Sequence, residues 1–364
     1  MLTPLGWQFE VSRAGETFST GPVPEGSRIR VTDAMQHLAP SSGLGALRRQ
    51  QRVWVFPCGS AAFTCALGTG RTSVAAVTAK EHDVKAGGIT LRVREAGDPA
   101  GEPVIHFHGT PGCRLELAFA DDIVTAAGVY LIAFDRPGYG GSTQTRFSLA
   151  SVAKMAVEVA DRFGVEQFRT TGWSGGGPFA LATAALAGAR VPAVGVIAGA
   201  GPFQLVPGVL DELSDGDKAA EKLLPGDQQA ACEGFVEGFD LQPALGDATS
   251  LYQAFEPLLS ESDRQVWAVH SEHILADLRE AMTQGVWGCG WDNVAWIGSW
   301  DFDPTKLECP VLLWYGTEDR MAPPSHAHWF ETNLPEARLT MYQGEGHLLP
   351  FVHLGQMLKE LFAD

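Results

Sequence analysis

At 364 residues, with a mean hydropathy near zero, the chain is long enough to bury a large core as one big domain or as one domain carrying an insertion. No apolar stretch reaches the ~20 residues that a membrane span needs. The formal net charge is −17, and residues 203–305 alone hold 19 acidic against four basic side chains. That excess disfavours nucleic acid and anionic membrane surfaces as partners and tolerates neutral or cationic small molecules.

The six cysteines, at 58, 65, 113, 232, 289 and 309, form no C-x-x-C pair, so neither a zinc ribbon nor a redox couple is signalled. Their wide spacing fits reduced thiols, and a Cys58–Cys65 bridge is left open. The opening Met-Leu-Thr-Pro-Leu-Gly-Trp lacks the charged start and apolar run of an export signal, so a cytoplasmic location is expected. A second reading stays open: Arg48-Arg-Gln-Gln-Arg52, followed by an apolar run ending Ala75-Ala-Val-Thr-Ala79, loosely mimics a twin-arginine signal. Residues 1–80 otherwise read as a poorly ordered extension of unknown role.

Order is expected from about His82. Two alternating runs around Gly87-Gly88 read as a hairpin. Val104–His108 reads as a buried strand, Leu115–Ala127 as a helix closed by Gly128, and Val129–Phe134 as a strand. Ser148 should cap a helix running to Phe163. Gln167–Thr171 leads as a strand into Gly172-Trp-Ser-Gly-Gly176, and a small-residue helix leads away from Pro178. The strand Ala193–Ala198 follows. Strands alternating with helices predict a mostly parallel sheet covered on both faces.

Alternation stops at Gly201-Pro202. Residues 203–305 read as a helical insertion, with candidate helices at Ala230–Phe239, Ser250–Leu259 and Asp263–Thr283 and a Trp-rich end. Its Gly-Pro and Pro-Gly steps suggest short, mobile pieces. Alternation resumes with the strand Val311–Tyr315, a helix near His326–Asn333, the strand Arg338–Tyr342 and a helix at Met357–Phe362.

A serine on a tight strand-to-helix turn needs small neighbours, and the turn lifts its hydroxyl toward the helix N-terminus. Ser174 has that setting. A serine hydroxyl is a weak nucleophile and needs a base, which in turn needs an orienting acid. Acids and a histidine stand where loops leave later strands, at Gly316-Thr-Glu-Asp-Arg-Met-Ala-Pro323 and Gln343-Gly-Glu-Gly-His347. The chain order is Ser174, Asp319, His347, with Glu318 a rival for the acid.

From about residue 82 onward the chain resembles the alpha/beta-hydrolase superfamily in its lidded, esterase-like branch. The motifs that carry the resemblance are His108-Gly-Thr-Pro-Gly112, Asp135-Arg-Pro-Gly-Tyr-Gly-Gly-Ser142, Gly172-Trp-Ser-Gly-Gly176, Gly316-x-x-Asp319 and Gly346-His347. The resemblance implies residues 81–202 and 306–364 as the core and 203–305 as a helical cap. It implies Ser174 as nucleophile, His347 as base, Asp319 as its acid, and the backbone N–H groups of Thr110 and Gly175 as an oxyanion hole.

Other titratable residues invite plainer readings. His108 braces the oxyanion loop, Asp135 caps a turn, and His353 is structural. His270-x-x-His273 has helical metal-pair spacing but lacks a completing ligand, so a plain helix face is expected. Nothing functional is expected of His326 and His328. The expected activity is a cofactor-independent serine hydrolase acting on a small-molecule ester, with Trp173, Trp287, Trp291 and Trp296 lining the substrate pocket and no metal site. Amide, lactone and carbon–carbon bond hydrolysis use the same residues and stay open, as does a ligand receptor on this fold.

Overall fold

The computed structural model describes residues 79–363 apart from 238–240 and 242, and, before them, five strands. These are β1 (Glu10–Arg13), β2 (Glu16–Ser19), β3 (Arg28–Arg30), β4 (Val53–Cys58) and β5 (Ala61–Ala66). The order β2-β1-β3 makes one small antiparallel sheet, and β4 and β5 pair as a second. The extension and the export-like segment expected in residues 1–80, and the side chains of Cys58 and Cys65, otherwise lie outside the described residues.

The rest of the chain, from Ala76, is a separate compact unit. It opens with β6 (Lys80–Ala86) and β7 (Ile89–Gly97), an antiparallel pair in which Ala86 faces Ile89 across Gly87-Gly88. Both glycines have positive φ, the backbone that a two-residue hairpin turn demands. Next come β8 (Glu102–Phe107), α1 (Asp121–Ala126), β9 (Val129–Phe134), α2 (Leu149–Arg162), β10 (Arg169–Trp173), α3 (Gly177–Ala187) and β11 (Val194–Ile197). After β11 the described residues form the α-helices α4 (Val209–Glu212), α5 (Asp215–Glu221), α6 (Gln228–Glu237), α7 (Ala248–Phe255), α8 (Glu261–Ala281) and α9 (Trp287–Ile297). The chain closes with β12 (Val311–Gly316), α10 (Pro324–Asn333), β13 (Ala337–Tyr342) and α11 (Pro350–Leu361).

Eight strands form one sheet in the order β13-β12-β11-β10-β8-β9-β7-β6, parallel from β13 through β9 and antiparallel at β7 and β6. Along each central strand the side chains alternate between two apolar layers. Val311, Leu313 and Tyr315 enter the layer beneath α2, α3 and α10, while Leu312 and Trp314 enter the layer beneath α1 and α11. A period of two, buried on both faces, is why the strands read as continuous apolar runs. Each large side chain so buried contributes about 1.5–3 kcal/mol. The insertion joins both layers: Phe235 and Trp291 belong to the first, and Leu251, Trp267 and Leu278 to the second.

Ser148 caps α2 through a reciprocal capping box with Ser151, a device worth about 1 kcal/mol. The single helix expected over Leu115–Ala127 is instead a turn followed by the short α1. Glu116 folds its carboxylate back to Gly109, and this holds residues 113–117 out of helix. Helix α11 begins at Pro350, earlier than its apolar period suggests, because proline suits a first helical turn.

Helix α9 was not foreseen. Glycines at 288 and 290 and three tryptophans give it poor intrinsic propensity. Contact decides it: a Cβ on Gly288 would meet the Tyr139 ring, and one on Gly290 would meet Cys232 and Val236. Both positions are bare because α9 lies hard against its neighbours. A chain shortened to begin at Ala76 should therefore melt cooperatively, with the same midpoint as the full chain by far-UV circular dichroism. A midpoint lowered by more than a few degrees would show that the first 75 residues stabilise the core.

Candidate active site

Because β8 to β13 run parallel, the loops after β8, β9, β10, β12 and β13 leave the same edge of the sheet, level with one another by the register Gly172–Phe107, Trp173–Ile197 and Ile197–Trp314. Ser174 follows β10 directly with φ of 54°, a conformation that costs a non-glycine residue about 1–3 kcal/mol. The turn is compact enough that a Cβ on Gly172 would overlap the carbonyl of Gly176. Ser174 is half-exposed, and its hydroxyl makes no hydrogen bond to another described residue.

The loops after β12 and β13 lie against each other through the Glu318 N–H, which donates to the Glu345 carbonyl at 2.8 Å. They bring Asp319 Oδ2 to 2.7 Å from His347 Nδ1. The other carboxylate oxygen, Oδ1, accepts the N–H groups of Met321 and Ala322 at 2.8 and 2.9 Å, so the carboxylate cannot swing. The neighbouring Glu318 is exposed and has no such bond. Burial by itself would lower the pKa of His347, but the adjacent charges of Asp319 and Asp263 outweigh it and hold the imidazole above its ordinary value.

The loop after β8 lies beside Ser174. A Cβ on Gly109 would come within 3.5 Å of Ser174 Cβ, and one on Gly175 would overlap Thr110 Oγ1. The Gly109 N–H is taken by Glu116 Oε1 at 2.6 Å, whereas the Thr110 N–H is given to no described residue. Glu116 also meets His106 Nε2 at 2.8 Å. Burial pushes the Glu116 carboxyl up and the His106 imidazole down, so both partners lean toward their neutral forms.

Arg136, fully buried, organises this loop. Its guanidinium donates to the carbonyls of His108 and Gly109, the latter at 2.9 Å. Its charge is met by the equally buried Asp292 of α9, at 2.9 Å from Nε and 2.5 Å from Nη2. Asp292 also accepts Thr110 Oγ1 and the Tyr139 hydroxyl, each at 2.6 Å. The Thr110 side chain is thus committed, and only its N–H is free to face a ligand. His108 Nε2 accepts the Arg136 N–H at 3.1 Å, in the bracing role expected of it. Asp135 accepts the N–H of Arg114 at 2.7 Å and that of Gly141 at 2.8 Å.

The four tryptophans named from the sequence differ in burial and in partners. Trp173 is buried and donates its Nε1–H to the His347 carbonyl at 3.1 Å, acting as a strut under the histidine loop. Trp291 is buried in the apolar layer with Arg146 over its ring, and Trp296 packs on Phe203. Trp287 is half-buried against the same layer. His270 and His273 surround Phe119 and Phe351, and His326 Nδ1 accepts the Gly201 N–H at 2.9 Å. A groove of about 360 Å³ flanks the histidine loop, walled by α8 residues such as Asp263, Val266 and His270 and by Gly346, Leu348 and Phe351.

Arg136, Asp292, Glu116 and Asp263 escaped the sequence reading. Asp292 carried a signal, as the lone carboxylate in the apolar run Gly290-Trp-Asp-Asn-Val-Ala-Trp296. Ser260-x-x-Asp263 is a capping-box pattern. Glu116 carried none.

A family profile described as the alpha/beta hydrolase fold matches residues 102–354. The chain is 31% identical over 279 residues to the dihydrolipoyllysine-residue acetyltransferase component of the acetoin cleaving system of Pseudomonas putida, covering 76% of this chain and 67% of that protein. Among solved structures it is similar to an esterase from Exiguobacterium antarcticum, with 19% identity, a TM-score of 0.55, and coverage of 78% of this chain and 98% of that one. It is also similar to epoxide hydrolase A from Mycobacterium thermoresistibile, with 21% identity, a TM-score of 0.54, and coverage of 79% and 100%.

Asp292→Ala should strip Arg136 of its counter-charge and cost about 3–5 kcal/mol of unfolding free energy, since an unpaired buried charge is left behind. Replacing the pair together, as Arg136→Met with Asp292→Leu, should recover a large part of that loss. Denaturant titration of the two variants checks the ranking.

Proposed function

The chain belongs to the alpha/beta hydrolase fold family, and from that premise we propose that it is a serine hydrolase that cleaves a small or medium, largely apolar carboxylic ester through an acyl-enzyme. The observation that carries the reading is the 2.7 Å bond from His347 to Asp319, set on the same sheet edge as Ser174 on its left-handed turn. Likeness to the esterase and to the epoxide hydrolase, each under 25% identical, speaks for the fold alone. The serine at the turn favours acyl chemistry over the aspartate-based chemistry of epoxide opening.

In this reading Ser174 Oγ attacks the ester carbonyl carbon and His347 Nε2 takes its proton. Asp319 keeps Nδ1 protonated and steadies the imidazolium. The oxyanion forms against the N–H groups of Thr110 and Gly175, each such donor being worth roughly 100- to 1000-fold in turnover. The imidazolium then protonates the leaving alkoxide, and water, deprotonated by His347, releases the acid. The hydroxyl of Ser174 is unpartnered before substrate arrives, and such contacts commonly tighten only on binding. These residues supply nucleophile, base and anion stabilisation themselves, so the chemistry calls on no cofactor. Residues 203–305 act as the cap, and of the four tryptophans named from the sequence Trp287 and Trp296, half-buried within it, have surface left to meet a substrate. Trp173 and Trp291 serve packing. We place the enzyme in the cytoplasm; among the described residues no helix is long and apolar enough to cross a membrane.

A second reading draws on the 31% identical acetyltransferase component. The same acyl-enzyme could pass its acyl group to an acceptor other than water.

The fluorophosphonate test is direct: the wild-type protein should be labelled covalently and Ser174→Ala should not, while folding is unchanged. Turnover of acyl esters of graded chain length should disappear in Ser174→Ala, and a variant with near wild-type turnover would remove Ser174 from the role. Excess thiol or alcohol acceptor, with products separated, distinguishes transfer from hydrolysis. Because the base works unprotonated and its pKa is held above 6.5, kcat/KM should fall with a midpoint above pH 6.5 on acidification. A midpoint well below that value would count against His347 as the base.

A further inference from the structure

Helix α8 meets the histidine loop at its first turn. Ser260 caps it, and Asp263, the third residue of the helix, is almost fully buried. Its Oδ2 accepts the Ser260 N–H at 3.0 Å, the Ser260 hydroxyl at 2.9 Å and the His347 N–H at 3.1 Å, while Oδ1 accepts the Leu348 N–H at 2.8 Å. Ser262 Oγ takes the preceding N–H, that of Gly346, at 3.1 Å. Three consecutive backbone donors of the histidine loop therefore end on one helical turn of the insertion. Every partner of the carboxylate is a donor, which is the pattern of an ionised group. Among the described residues no Lys, Arg or His forms an ion pair with it.

Gly346 fits this arrangement. A Cβ there would overlap Asp263 Oδ2 and Ser260 Oγ. The residue before His347 must be bare because the carboxylate is seated against it.

We propose that Asp263 is a positioning residue for His347, gripping its backbone and standing as a second carboxylate near the imidazole, in addition to the one that holds Nδ1. The inference deepens the serine hydrolase reading and rests on it. Three acidic groups face His347 from three elements: Asp319 after β12, Asp263 from α8 and Glu116 after β8. Burial holds Glu116 toward its neutral form, so the standing charges are those of Asp319 and Asp263. The nearby cation of this network, Arg136, is spent on Asp292. An anion close to a buried imidazole favours its protonated form, the form His347 takes once it has accepted the Ser174 proton. The backbone grip adds orientation, since the ring is fixed at Nδ1 by one carboxylate and at its own main chain by the other.

The test is Asp263→Asn, which keeps the shape, loses the charge and offers a single oxygen to the backbone donors. Its kcat on a short-chain ester should fall roughly tenfold, with KM changed less than about threefold. The acid limb of kcat/KM should move to lower pH by about half a unit or more. Ser260→Ala is the structural control: it weakens the helix cap and lowers the melting temperature but keeps the charge, so the acid limb should stay in place. Should Asp263→Asn not fold, Gly346→Ala decides, because its methyl group displaces the carboxylate and should move the limb in the same direction. An unmoved acid limb and unchanged kcat in the folded variant would make Asp263 a helix cap only and overturn the inference. Failure of the underlying reading looks different: the wild-type protein would neither hydrolyse esters nor take up fluorophosphonate.

Discussion

A guanidinium sealed from water must be neutralised where it stands, and at Arg136 the neutralising group comes from a segment 156 residues away in sequence. That single requirement ties the loop after β8, the loop after β9 and helix α9 into one unit. The Arg136 guanidinium also donates to the carbonyls of His108 and Gly109, which fixes the chain just before Thr110. The pairing also matters for charge. In the proposed reaction a lone carboxylate bonded to Thr110 would oppose an anion forming beside it, whereas a carboxylate cancelled by a guanidinium leaves the backbone dipoles in command.

The histidine side of the site uses a related principle with different parts. There a carboxylate on the first turn of α8 accepts from hydroxyl and backbone donors, helped by the positive end of the helix. Further along, α8 also reaches the loop after β8, with His273 at the Glu116 carbonyl and Asp277 at the Cys113 thiol. Glycine and proline steps suggested that the whole insertion would be mobile. Its last two helices are fastened to the loops after β8 and β13 by buried polar groups.

Much of the fold was legible because its signals are local. Alternating apolar strands, the Gly87-Gly88 hairpin, the Ser148 cap and the glycine-walled Ser174 turn each rest on properties of a few adjacent residues, and the doubly covered, mostly parallel sheet expected from them is the one observed. Elements whose existence depends on distant partners were missed or misdrawn. Helix α9 is held by Tyr139 and Cys232 against its own propensity, and the expected helix at Leu115 gives way because Glu116 turns back to Gly109. The tryptophans were legible as large apolar groups, but the direction each one faces was not.

By itself, the sequence determined the chain order Ser174, Asp319, His347 and the strand ends on which they stand, since a period of two and a tight turn are written in neighbouring residues. It could not decide between Glu318 and Asp319 on chemistry, because both carry the same group one residue apart. The tertiary structure separates them in place: of the two, only Asp319 bonds His347, with its carboxylate held by two local N–H groups. Nor could the sequence say that Asp292 and Asp263, among 19 acids in the insertion, are the two that reach the loops of Thr110 and His347. A charge acts through distance and dielectric, and both are set only when remote segments pack and exclude water.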